Sequence, residues 1–259
     1  MRYSQTVSSN FYESDRAVSE YLLFHYGTAE EILPYPNGPR DALFYPERCV
    51  LNCLDTGSLP AEARALDVGC AVGRSTFELA KHCTEVIGID FSQRFIDVAT
   101  RLRDQGGINY VYVEEGEITR NSVAVVPTTI DRRRVSFEQG DAQNLRDHLS
   151  DFDVVFAANL IDRLPDPVRF LNRLSGLVKP GGQLILTSPY TWLTEYTPRD
   201  NWLGGKVDAG RSRKTLDGLK SELGKDFDLQ RTLDLPFLIR EHVRKFQWSV
   251  AQGSVWRRK

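Results

Sequence analysis

The sequence predicts a doubly wound α/β fold built on a mostly parallel sheet, on three observations. Short apolar runs alternate with stretches of helical periodicity over residues 60–105 and again from 135. A glycine-bearing turn, Asp67-Val68-Gly69-Cys70-Ala71-Val72-Gly73, joins the first run to the first helix of that series. Two carboxylates, Asp90 and Asp141, stand just past the ends of the second and third runs, where open α/β sheets bind ligands. Strands separated by helices pair in parallel and need cover on both faces.

The elements follow in order. Residues 9–27 carry Phe11, Ala17, Val18, Tyr21, Leu22 and Phe24 near helical spacing, with Ser14 or Asp15 as cap and Gly27 as stop. Residues 34–40 are rich in Pro and Gly and read as a loop, and 46–57 read as a second helix. Ala65–Val68 is the first strand, Ser75–His82 a helix, Val86–Asp90 the second strand and Gln93–Asp104 a helix. Between 106 and 134 the pattern changes. Tyr110–Val113 and Ser122–Val126 flank a polar turn, Glu114–Asn121, and predict a β-hairpin insertion. The rhythm resumes with strands at Val135–Glu138, Asp153–Phe156 and Gly182–Ser188 and a helix at Pro167–Val178. Apolar stretches at 229–238 and 243–250 suit closing antiparallel strands. The organisation expected is one domain over 1–259: an N-terminal helical lid (1–59), a core (60–105 and 135–259) and the hairpin insertion (106–134).

Composition narrows the classes of partner. The 259 residues carry 33 basic and 35 acidic side chains, a balance that disfavours a nucleic-acid backbone as the main partner. The runs Arg132-Arg133-Arg134 and Arg257-Arg258-Lys259 read as solvated faces or tails. Cys49, Cys53, Cys70 and Cys83 lack paired Cys-x-x-Cys spacing, so no metal site is expected. No apolar run nears the roughly 20 residues of a membrane helix, and the polar N-terminus lacks a signal-peptide core. A reducing cytoplasm is the expected setting.

The candidate ligand site is assembled from the three turns. Small residues at Gly69 to Gly73 let a backbone approach a ligand closely. Asp90 can accept from ribose hydroxyls, and Asp141, in Gly140-Asp141-Ala142, from an exocyclic adenine amine. The turn lacks the Gly-x-Gly-x-x-Gly order, and Asp67 ahead of it would repel a pyrophosphate but suits a cationic ligand.

These motifs resemble those of the class I S-adenosylmethionine-dependent methyltransferases over residues 60–190: Leu66–Gly73, Ile89-Asp90, Gly140-Asp141-Ala142, and Leu177-Val178-Lys179-Pro180-Gly181-Gly182 before the fifth strand. The usual middle glycine of the first motif is Ala71 here. The resemblance implies a Rossmann-like seven-stranded sheet with an antiparallel last strand. It also implies S-adenosylmethionine as methyl donor, held by Asp67, Gly69, Cys70, Ala71, Gly73, Arg74, Asp90, Phe91, Ser92, Gly140, Asp141, Ala142 and Asn159.

A narrower likeness lies in the flanks. Phe11–Arg16, Tyr21–Gly27, Leu66–Leu79 with its Cys70–Ser75 core, the hairpin insertion and Ser188–Trp192 resemble the 4-mercaptohistidine N-methyltransferases, whose module often sits behind a sulfoxide synthase. That family methylates a ring nitrogen of 5-thiohistidine to give ovothiol. Here the chain opens at Met1 without a synthase region, so a stand-alone enzyme and an excised domain both stay open.

Methyl transfer from a sulfonium needs alignment and dryness more than acid–base help. A carboxylate on the sulfonium would favour the ground state, so none is expected there. The thiohistidine sulfur is a softer nucleophile than the ring nitrogen, so the pocket must present only the nitrogen. Tyr12, Asn159 and Arg163 are the candidate catalytic residues, and Tyr12, Glu13, Arg16, Tyr190 and Trp192 the candidate substrate residues. Arg16 or Arg163 would take a carboxylate and Glu13 an ammonium. His25 and His148 are weaker candidates as proton acceptors. Ala157-Ala158-Asn159-Leu160-Ile161 lacks the Asp/Asn-Pro-Pro-aromatic signature of nucleic-acid amino-methylating enzymes. A cofactor-binding module without turnover, and a methyltransferase for another small amine or imidazole, remain alternatives.

Overall fold

The structure, a computed structural model, describes residues 12–208 and 210–259. At its centre is a seven-stranded sheet. The strands are β1 (Arg64–Val68), β2 (Glu85–Asp90), β5 (Val135–Gln139), β6 (Phe152–Ala158), β7 (Val178–Ser188), β10 (Phe227–His242) and β11 (Lys245–Arg258). Their order is β10-β11-β7-β6-β1-β2-β5. Only β11 runs against its neighbours, pairing antiparallel with both β7 and β10. The chain order reverses beside β1, the switch point at which such sheets open a crevice.

The central strands are buried on both faces, as the continuous run of β6 shows, because helices flank them. The helices are α1 (Asp15–Tyr26), α2 (Ala29–Ile32), α3 (Tyr45–Cys53), α4 (Arg74–Leu79), α5 (Gln93–Gln105), α6 (Pro167–Leu177) and α7 (Thr215–Leu223). Ser14 caps α1 by accepting from the Ala17 N–H, and Gly27 ends it, as expected. Ser92 caps α5, and Asp166 caps α6 with Pro167 in its first turn. Residues 9–11 of the first expected helix lie outside the described residues.

The hairpin is β3 (Gly107–Glu115) with β4 (Ile118–Val125). It is longer than the expected strands because pairing continues through the polar residues to the turn at Gly116. Ile108, Tyr110 and Tyr112 point inward, while Val111, Val123 and Val125 are exposed. Its tip is tied to β10, where Arg240 donates to Glu114 (2.8 Å) and to the Glu31 carbonyl (2.5 Å).

Other departures have local causes. The expected helix at 46–57 stops at Cys53, and a 3₁₀ turn follows at Thr56–Ser58. The closing strands run well past 238 and 250, because the polar residues at their ends are still paired. The C-terminal basic run is therefore in a strand rather than a free tail. Arg257 bonds Asp55 and Ser58, and Arg258 lies over the Phe227 ring and pairs with Asp226. The short pair β8 (Lys206–Asp208) and β9 (Arg211–Arg213), with α2 and α7, has no clear periodic signal in the sequence.

Candidate active site

A cavity of about 670 Å³ opens at the carboxyl ends of β1, β2, β5 and β6. Its wall is built from the turns that follow those strands. The turn after β1 carries Gly69, Cys70 and Ala71 past the cavity, and β2 delivers Asp90 and Phe91. Asp90 ties the two together: Oδ2 accepts from the Ala71 N–H (2.8 Å) and Oδ1 from the Ser92 N–H (2.9 Å). Burial pushes this carboxyl up to about 6, against those two N–H bonds, and the nearby Glu13 adds to the rise. Gly140, Asp141 and Ala142 complete the far wall, where Asp141 accepts from the Gln143 N–H. Phe91, 62% exposed, presents an open ring beside these acids.

Ala71 occupies the left-handed region (φ 47°), which explains why glycine is the usual residue there. Gly73 (φ 88°) has a second reason. A Cβ would sit 2.6 Å from the Phe137 ring, so the turn must pass bare over β5.

The opposite side is aromatic. Tyr12 meets Tyr21 and Phe95 edge-on, with ring centroids 6.1 Å apart in each case. The Ser92 hydroxyl anchors this segment by donating to the Tyr12 carbonyl (3.1 Å). Arg163 lies 4.8 Å over the Tyr196 ring and donates to Asp162 (3.2 Å) and to the Thr191 carbonyl (3.1 Å). Burial pushes the Tyr12 phenol up, with the Arg163 cation pulling the other way. Asn159 is held in the left-handed region (φ 52°) at the end of β6.

Thus Tyr12, Asn159 and Arg163 do meet in one cavity, together with Gly69, Cys70, Ala71, Asp90, Phe91, Gly140, Asp141 and Ala142. Other expected residues stand elsewhere. Asp67 is buried behind the turn and accepts from Thr76 (2.7 Å), and burial pushes it up to about 7. It therefore faces no ligand, and the repulsion argued from it does not operate. Arg74 is buried against Glu47 (2.7 Å) and Glu78 (2.6 Å), and Ser92 serves as a helix cap. Arg16 pairs with Glu20 and is 64% exposed, outside the cavity, and Glu13 does not line it. Tyr190 bonds Gln252 (3.0 Å), and Trp192 is buried, bonding Thr215 (2.8 Å). His148 is exposed beside Arg146.

Sequence reasoning missed Tyr21, Tyr45, Gln143, Glu195 and Tyr196 as lining residues. Tyr45 and Tyr196 belong to segments that only the fold brings to the cavity. His25 lines it too, but burial lowers its pKa to about 3, so it is neutral.

The sheet order and the single reversed strand are those of the class I methyltransferase Rossmann-like fold, with a cavity walled by Asp90 and Asp141 at its switch point. Residues 66–186 match the family described as a methyltransferase domain. Among curated proteins, the chain is 28% identical over 123 residues to the ubiquinone biosynthesis O-methyltransferase of Coxiella burnetii, covering 48% of this chain and 42% of that one. The corresponding enzyme of Xanthomonas axonopodis pv. citri is 25% identical over 181 residues, 70% of this chain and 63% of that one. The chain thus spans less than two thirds of these relatives. Among solved structures, the cyclase SpnF aligns over 98% of this chain and 96% of its own, with TM-score 0.58 and 17% identity. A methyltransferase from Methanosarcina mazei aligns over 78% and 94%, with TM-score 0.51 and 19% identity. These two likenesses show the fold, which does not by itself fix a reaction. Among the described residues, no helix is long and apolar enough to cross a membrane.

Proposed function

We propose that this chain methylates a ring nitrogen of 5-thiohistidine, giving ovothiol, with S-adenosylmethionine as donor. The residues present fit that donor. Asp90 and Asp141 offer carboxylate oxygens on one wall, Phe91 offers an open ring for a purine, and Gly69 to Ala71 give a bare backbone edge. When bound, the donor supplies an activated methyl group on a sulfonium. The cavity of about 670 Å³ leaves room for a small acceptor beside it.

The observation that favours nitrogen over oxygen is that the histidine among the described lining residues cannot serve as a base. A phenol must lose a proton near pH 10 to become a good nucleophile. His25, with its pKa near 3, cannot take that proton, and Asp90 is engaged by two backbone N–H groups. An imidazole nitrogen has its lone pair available and can release its proton to water afterwards.

The chain's own residues then orient the ring. Tyr12, Tyr21 and Tyr196 provide flat apolar faces that exclude water. Arg163, the only Lys or Arg among the described lining residues, takes the acceptor's carboxylate. Glu195, at the same end, replaces Glu13 as the partner for its ammonium. A functional link to a sulfoxide synthase, and a cytoplasmic setting, would follow from this substrate.

The test incubates purified chain with S-adenosylmethionine and either 5-thiohistidine or histidine, following products by mass spectrometry and NMR. Ring N-methylated thiohistidine with histidine untouched supports the reading. Methylation of neither sinks the assignment and leaves another small amine or imidazole as acceptor.

A further inference from the structure

The Tyr45 hydroxyl has no packing role. Its ring lies 6.0 Å from Phe24 and 4.8 Å from Phe237, and a phenylalanine would fill that space. A hydroxyl buried among such rings is costly unless it is bonded. It donates to Asn159 Oδ1 (2.8 Å) and shares a hydrogen bond with Thr187 Oγ1 (2.7 Å), with the Cys49 thiol beside it. The Asn159 backbone N–H donates to the Thr187 carbonyl (2.8 Å). Asn159 is therefore fixed from both ends, in a left-handed conformation, at the cavity wall.

A side-chain amide has one oxygen and two N–H donors. With the oxygen taken by Tyr45, the NH2 group is the part left for the cavity. In 5-thiohistidine, the nitrogen nearer the side chain and the sulfur stand on opposite flanks of the same ring carbon. A half-turn of the ring exchanges them. A donor fixed on one flank decides which atom meets the methyl group. An N–H bond to an anionic sulfur also lowers its nucleophilicity.

We propose that Thr187 and Tyr45 form a positioning relay that turns the Asn159 NH2 into the cavity, where it holds the sulfur flank of the acceptor ring and so directs methylation to nitrogen. The inference rests on the thiohistidine reading. In the step, the nitrogen lone pair forms the new N–CH3 bond. The old carbon–sulfur bond breaks with its electron pair staying on the donor sulfur, and the ring proton leaves to water. Asn159 touches the acceptor; Tyr45 and Thr187 act through it.

The experiment compares wild type with Tyr45→Phe and Thr187→Val. The second variant is isosteric and its residue does not line the cavity. Two readouts are taken: the ratio of N- to S-methylated product by NMR, and the side-chain amide signals of Asn159 in ¹⁵N-Asn-labelled protein, assigned with Asn159→Ala. Both variants should lower kcat/KM by about tenfold, the loss of one hydrogen bond. Both should raise the S-methylated fraction and shift the Asn159 amide pair, with unchanged affinity for S-adenosylhomocysteine. A wild-type N:S ratio in folded variants overturns the relay. If wild type methylates neither atom, the functional reading falls, and the amide signals still decide the relay: unshifted signals in both variants overturn it.

Discussion

Substitution of Gly73 by alanine should cost this protein several kcal/mol, and the reason is geometric. At φ 88° an alanine is forced into a left-handed conformation, worth about 1–2 kcal/mol. Its Cβ would also meet Phe137 Cζ at 2.6 Å, Cε1 at 2.9 Å and Ala99 Cβ at 3.3 Å. Phe137 cannot easily give way. It packs edge-on against Phe77, centroids 5.4 Å apart, and fills the groove over Gly88, where a Cβ would meet it at 2.7 Å. Such overpacking costs about 1–3 kcal/mol. A total of roughly 3 kcal/mol lowers the melting temperature by roughly 6–12 °C for a chain of this size. Differential scanning calorimetry measures it, with isothermal titration of S-adenosylhomocysteine as companion, since the displaced turn is the cavity wall. Ala71→Gly is the internal contrast. It relieves the left-handed alanine and adds glycine's entropy cost of about 0.5–1 kcal/mol, so its midpoint should move by no more than a few degrees. A Gly73→Ala protein melting with wild type, or falling no further than Ala71→Gly, would refute the account of this turn.

Three further outcomes are expected. Asp90, raised to about 6 in the free protein, is ionised when it accepts from ligand hydroxyls, so S-adenosylmethionine affinity should fall about tenfold per pH unit below 6. Asp90→Asn should bind weakly and without that pH dependence, read by titration calorimetry. Its raised pKa also favours the ligand-free fold below about pH 4, a contribution lost as pH rises through 6. Arg163→Ala should raise the acceptor KM at least tenfold while leaving S-adenosylhomocysteine affinity within about twofold, if Arg163, held by Asp162 and Tyr196, clamps the acceptor as proposed; an unchanged KM counts against the clamp. His25, lowered to about 3, stabilises the fold above the unfolded value near 6.5 and loses that contribution as pH falls toward 3. Denaturation of His25→Phe should accordingly show a shallower acid limb than wild type, and parallel limbs would contradict the buried neutral ring.

Particular elements show what the sequence determines. The parallel strands β1, β2, β5, β6 and β7 were legible because each is an apolar run ended by Gly, Asp, Asn or Pro, and period and punctuation are local properties. The turn at 69–73, Asp90 and Asp141 were legible for the same reason: each follows its own strand directly, so a strand prediction places it at the carboxyl end. The ends of β10 and β11 were not, because their polar residues take strand conformation only through pairing with each other. Asp67 lies in the motif by sequence, yet its side chain turns to Thr76 beneath the helix. Trp192 and Tyr190 follow β7 as expected, but their polar atoms find Thr215 and Gln252, residues no local pattern could associate with them. Tyr45 reaches Asn159 across 114 positions. The sequence by itself determined the order of the strands β1 to β7, the helices α4 to α6 between them and the bare, acidic turns that follow β1, β2 and β5, because those depend on neighbours along the chain. Only the tertiary structure decided which side chains face the cavity, because that depends on where distant segments find hydrogen-bond partners and space.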